Sequence, residues 1–155
     1  CSIRKNIWKK YNFNEDLTGL EDLDLAKKIV DNNEGKISYI SDAEIVHVHE
    51  ESWVQIRNRY RRESIALLKI NPKLKIKLFQ CIILFFGNVY SDLFSAIKEK
   101  ILIYNLILIL FFRFNQFYGI YLGFNMQINI NKEIRDKFFF PLKNFSKNEY
   151  ENKNK

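Results

Sequence analysis

The chain has only two cysteines in 155 residues, Cys1 and Cys81. That is too few for a disulfide scaffold, and a reducing compartment is expected. No basic stretch leading into an apolar core and cleavage site stands at the start, so no signal peptide is read there. The first residue is Cys1 and the sole methionine is Met126, so a piece of a longer protein is expected. A glycine-rich phosphate loop, zinc-spaced cysteines, a Gly-x-Ser-x-Gly elbow and a helix-turn-helix pattern are all missing, which removes the chemistries they carry. There is no internal repeat. The longest apolar runs, at 78–86 and 101–112, fall short of the roughly 20 residues that a membrane-crossing helix needs.

What is present points to a folded, surface-seeking chain. Apolar residues make up 47% and aromatics 15%, which excludes disorder throughout. The formal charge is +7, but residues 1–51 carry −4 and residues 52–155 carry +11. A basic surface of that size meets an anionic partner: nucleic acid, phospholipid or a phosphorylated ligand. Nucleic acid is set aside, because the basic part is dominated by aliphatic runs and not by exposed aromatics among basic residues.

The pattern divides the chain into three parts. Residues 1–70 read as mixed α/β. Thr18-Gly19-Leu20-Glu21 has capping-box spacing and opens a helix that runs to Asn33, with Gly35 as its stop. Residues 36–40 and 43–49 read as short strands rich in Ile, Val and Tyr. A second helix spans 52–70, with Trp53, Ile56, Tyr60 and Leu67 on one face, and Asn71-Pro72 ends it. Residues 71–131 form an apolar region of two amphipathic or buried helices, led by Lys73, Lys75 and Lys77 and closed by Arg113. Residues 132–155 form a basic polar tail, expected to be partly disordered.

Three constellations carry possible chemistry. On a helical wheel Asp22 falls inside the apolar arc of Leu23, Leu25, Ala26, Ile29 and Val30, with Glu21, Asp24 and Lys28 opposite. An inward acid is unusual, although an acid in a first turn also suits the helix dipole. Glu21 reads as a capping residue and Asp24 as a solvated one. His47 and His49 share a face at the end of a strand, where two imidazoles could ligate a divalent metal or bind phosphate. Arg57, Arg59, Arg61 and Arg62 form either a solvated helix face or a contact for phosphate or lipid headgroups.

The order of these pieces is specific. Ser2-Ile3-Arg4-Lys5-Asn6-Ile7-Trp8 precedes Phe13-Asn14-Glu15-Asp16-Leu17, then Gly19-Leu20-Glu21-Asp22-Leu23-Asp24-Leu25. Tyr39-Ile40-x-x-Ala43-Glu44-Ile45-Val46-His47-Val48-His49 follows, then Ser52 and Arg59-Tyr60-Arg61-Arg62. Over about residues 1–70 this resembles the C-terminal half of a family 2 glycosyltransferase of the bacterial surface-polysaccharide type. Tyr118-Gly119-x-Tyr121-x-Gly123 is similar, less specifically, to the C-terminal region of some such enzymes.

The resemblance implies an α/β fold: the acceptor-side, C-terminal part of a GT-A (Rossmann-like) domain, followed by amphipathic α-helices. It implies an inverting transfer from a nucleotide-sugar donor to a polysaccharide or lipid-linked acceptor. Asp22 matches the general base, Glu21 the acceptor site, and Arg4 the segment lining the sugar cleft. His47 matches the histidine beside a metal–diphosphate site holding Mg or Mn, with His49 as its alternative. Lys5 stands where a second Arg is common. The nucleotide-binding half, with its Asp-x-Asp, does not fall within these residues, so this piece alone is not expected to turn over substrate. The expected location is cytoplasmic, peripheral at the inner face of the cell membrane, against an anionic lipid surface and compatible with a homo-oligomer. The competing reading is a non-catalytic membrane-surface adaptor, in which residues 73–130 bind lipid and Asp22 and His47 are dispensable.

Overall fold

Ser52 and Gln55 start the helix that organises the molecule. The Ser52 hydroxyl accepts from the Gln55 N–H at 3.4 Å, and the Gln55 side chain accepts from the Ser52 N–H at 2.8 Å. Two of the helix's free backbone donors are thereby satisfied. The computed structural model describes residues 2–40, 42 and 51–125. Among them are five helices: α1 (Lys5–Lys10), α2 (Glu21–Asp31), α3 (Trp53–Ile70), α4 (Leu78–Lys98) and α5 (Leu102–Asn125). α3 ends where Asn71-Pro72 forbids continuation.

The expected α/β, Rossmann-like GT-A sheet is corrected by this architecture: the described residues are 70% helical and contain no strand. Residues 36–40 have strand-like composition but make no ladder, and Ile37, Tyr39 and Ile40 are all exposed, Tyr39 at 94%. β-branched and aromatic residues favour a strand only where a neighbouring strand and a covered face exist. The second expected strand, 43–49, lies outside the described residues, as does the tail at 132–155.

Helix ends also differ from expectation. Thr18 makes no capping box. Leu20, left-handed at φ 60°, is the N-cap of α2, and the buried Thr18 hydroxyl donates instead to the Arg62 carbonyl of α3. α2 stops before Gly35, at a left-handed Asn33 with φ 55°. Asn33 N–H donates to Val30 and Glu34 N–H to Ile29, a Schellman pair. The same device closes α4: Lys100 is left-handed, its N–H donates to Ile97, and the Ile101 N–H donates to Ala96. The chain then reverses into α5.

α4 and α5 therefore form an antiparallel hairpin, with Asp92 paired to Arg113 and Phe85 set edge-on to Phe117. They are 21 and 24 residues long, about 31 and 36 Å at 1.5 Å per residue, well beyond the apolar peaks visible in the sequence. Each is long and apolar enough to cross a membrane by length and composition. α3 runs alongside the second half of α5 in the same direction: Trp53 meets Phe111, the Arg57 carbonyl faces Gly119, and Ser64 faces Gly123. A Cβ on Gly119 would stand 2.4 Å from the Arg57 oxygen, and one on Gly123 would stand 2.5 Å from the Ser64 Cβ. The Gly119-x-x-x-Gly123 spacing thus lets two helix backbones approach where any side chain would hold them apart.

Candidate functional site: an apolar face backed by an arginine helix

At 100° per residue, α4 divides into two sides. Phe79, Ile83, Phe86, Tyr90, Phe94 and Ile97 form an outer stripe, all at least half exposed, Phe86 at 64%. Gln80, Ser91, Ser95 and Lys98 lie on the other side. On α5 the exposed stripe is Tyr104, Ile107, Phe111, Phe114 and Tyr118. The two stripes meet across an apolar groove of about 360 Å³ lined by Phe86, Phe114 and Tyr118 among others, so they form one continuous surface. Stacked pairs, Tyr90 with Phe94 and Phe114 with Tyr118, run along it. A contiguous apolar surface of this extent marks an interaction site.

α3 borders this surface: Trp53 meets Phe111 and Arg57 lies against Tyr118 at its edge, while the α3 backbone packs on Gly119 and Gly123. Its four arginines, which the sequence left as either a solvated face or a headgroup contact, are half-buried and built into the structure. Arg57 lies 5.7 Å from the Tyr118 ring centre and Arg59 4.7 Å from that of Tyr60. Arg59 is also ion-paired to Glu51 at 2.8 Å. Burial, with the Arg57 charge one turn earlier, lowers the Arg61 pKa. Glu63 beside them has its carboxyl pKa raised, because desolvation outweighs the attraction of Arg59 and Arg62.

The N-terminal segment hangs on the same helix. Besides the Thr18–Arg62 bond, Lys69 donates to the Asp16 carbonyl at 3.0 Å, and Gly19 sits against Arg62 and Glu63. This loop delivers the chain to Asp22. The carboxylate is exposed, not inward, and its Oδ1 accepts from the Leu23 N–H at 2.8 Å. α2 turns Leu25 and Ile29 inward and leaves Leu23 and Val30 half exposed, which narrows the apolar arc and rotates Asp22 out of it. Asp24, expected to be solvated, is instead the half-buried acid, ion-paired to Lys28 at 2.6 Å. Glu21 is half-buried in the first turn, and Arg4 is exposed as the N-cap of α1. Among the described residues, neither Arg4 nor Glu21 is hydrogen-bonded or ion-paired to Asp22 or to the other. His47 and His49 lie outside the described residues, and among the described residues no group of three or more His, Cys, Asp or Glu side chains could hold a metal.

Two features went unread in the sequence. In the sequence Asp92 falls in the polar break between the two apolar runs and Arg113 follows the second, yet they pair across the hairpin with Nε and Nη2 at 2.6 and 2.8 Å from the carboxylate. Arg113 also donates to Gln116 at 2.8 Å. A lone acid and a lone base on neighbouring apolar helices would have signalled the pair. The second is the role of Gly119 and Gly123 as the α3 docking surface. No protein-family model, curated protein or solved structure matches the chain.

Proposed function

We propose that the chain is the membrane-seated, acceptor-side part of a glycosyltransferase. The enzyme would move a sugar from a nucleotide-sugar donor to a glycan or lipid-linked acceptor at the inner face of the cell membrane. The observation that carries the reading is a layered arrangement: the apolar face of α4 and α5 looks outward, and the arginine helix stands behind it. That helix holds the loop leading to Asp22. The order of motifs from Ser2 to Arg62 supplies the chemistry.

The hairpin lies in the interface and does not cross it. α3 is in register with the second half of α5, so a crossing hairpin would draw Arg57 and Arg59 toward hydrocarbon depth. Each arginine there costs about 2.5–3.5 kcal/mol on insertion scales. An in-plane hairpin buries the apolar stripes among lipid tails and leaves the arginines of α3 at headgroup level, with Arg57 reaching up from Tyr118.

In the transfer, the Asp22 carboxylate takes the proton of the acceptor hydroxyl as that oxygen bonds to the anomeric carbon. The bond from that carbon to the nucleotide diphosphate breaks, and the diphosphate leaves with the electron pair. The Leu23 N–H orients one carboxylate oxygen, and exposure lets an acceptor reach the other. Mg or Mn, if held by His47 or His49, would supply charge neutralisation on the leaving group.

The test is release of nucleotide from a panel of UDP-, GDP- and CMP-sugars by the complete protein in its native membranes. Asp22→Asn lowers turnover at least ~100-fold, while Asp31→Asn, on an exposed pair with Lys27, stays within a few-fold. Full activity in Asp22→Asn overturns the assignment of the base. Membrane binding without nucleotide release from any donor favours the adaptor.

A further inference from the structure

A second cavity, on the side of the hairpin away from the apolar stripes, is not used by the membrane seat. It lies where the start of α3 meets the C-terminal half of α4 and the N-terminal half of α5, and it encloses about 710 Å³. Two ion pairs stand on its wall: Glu51 with Arg59, and Asp92 with Arg113. Trp53, 38% exposed, and Asn105 also line it.

The chemistry of this wall selects a ligand class. Its acids are Glu51, Asp92 and Glu99 and its bases Arg59 and Arg113, so it has no positive excess to attract phosphate. A free cation would meet two guanidinium groups. What remains are planar donors and acceptors held in fixed positions by their own pairing, with lone pairs and N–H groups to spare. Such groups match neighbouring hydroxyls, which donate and accept at once. The indole of Trp53, tilted against Phe111 at 5.7 Å, offers an apolar ring of the kind that covers the C–H face of a pyranose. The volume falls within the usual range for small-molecule sites, about 300–1,000 Å³.

We infer that this cleft binds a neutral saccharide. One sugar ring lies on Trp53 and its hydroxyls are shared between the Glu51–Arg59 and Asp92–Arg113 pairs. The part the cleft plays, holding the acceptor glycan, rests on the transferase reading; the binding does not.

Saturation-transfer NMR on the complete protein in zwitterionic nanodiscs tests it, with methyl glucoside, methyl galactoside and methyl N-acetylglucosaminide as probes. Inorganic phosphate and tetramethylammonium serve as competitors. At least one glycoside receives saturation, strongest at its ring C–H protons, and neither ion competes. Trp53→Ala weakens binding at least tenfold and Trp53→Phe largely restores it. Asn105→Trp, which fills the cleft, abolishes binding, while Asp31→Asn, on the exposed pair with Lys27, leaves it unchanged. No glycoside binding, binding indifferent to both Trp53→Ala and Asn105→Trp, or displacement by phosphate overturns the inference. If glycosides bind but no nucleotide sugar is consumed, the transferase reading falls and the cleft stands. If transfer proceeds and Trp53→Ala leaves the acceptor KM unchanged, the cleft falls and the transferase stands.

Discussion

The Thr18 hydroxyl donates to the Arg62 carbonyl at 3.0 Å, joining the loop ahead of α2 to the middle of α3 across 44 positions. Thr18 is wholly buried, so no water can substitute for the bond. Thr18→Val keeps the shape and removes the donor. We expect a loss of about 0.5–1.5 kcal/mol, the net worth of one hydrogen bond, since the Arg62 carbonyl keeps its place in the α3 ladder. Urea unfolding followed by far-UV circular dichroism reads it, and an unchanged midpoint would contradict the tie.

Glycines make a sharper test of the helix packing. Gly119→Ala and Gly123→Ala each place a methyl against α3 backbone or Cβ at about the distances given above, and each should destabilise by about 1–3 kcal/mol. Gly87, in the middle of α4, has nothing within 4 Å of a built Cβ. Gly87→Ala should therefore stabilise, by about 0.5–1 kcal/mol, because it only removes backbone freedom. Opposite signs at Gly87 and Gly119 in one thermal-unfolding series are the expected result.

Glu63 sets a pH signature. Its folded-state pKa is raised, with desolvation the largest cause. The folded protein therefore holds this proton more tightly than the unfolded chain does. The stability gained from protonation is fully present below the unfolded carboxylate pKa and is lost as pH rises through the higher folded one. Glu63→Gln should accordingly raise Tm at pH 7, and its advantage over the parent should shrink as pH falls through the carboxylate range. A constant difference across pH 3–7 would show that charge is not the cause.

For the membrane seat, Lys73, Lys75 and Lys77 stand just ahead of α4, each worth about 1 kcal/mol near an anionic surface. Replacing all three with Gln should weaken binding to anionic liposomes by up to about 100-fold and flatten its salt dependence. Phe86→Ser with Phe114→Ser, across the shared groove, should weaken binding to neutral and anionic liposomes alike. Alkaline carbonate should release the parent protein from cell membranes; resistance would mean that the hairpin crosses after all.

α3 was legible from its sequence at both ends, because Ser52 with Gln55 and Asn71-Pro72 act through local geometry alone. Thr18 was not. Its spacing to Glu21 fits a capping box, but the hydroxyl found a carbonyl far along the chain, and no local pattern distinguishes the two uses. Residues 36–40 misled for a related reason: strand composition says what would suit a sheet, not whether one is there. The position of Asp22 depended on a wheel drawn with all five apolar residues inward, whereas α2 buries only Leu25 and Ile29. The helix reversal at Lys100 left no glycine or asparagine to mark it.

The packing of α3 against Gly119 and Gly123 sets a height. With backbones in such close contact, the loop that carries Asp22 is tied through α3 to α5 at one spacing. The glycine pair therefore acts as a ruler: a larger residue at either position would lift α3, and the Thr18 loop with it, away from the hairpin.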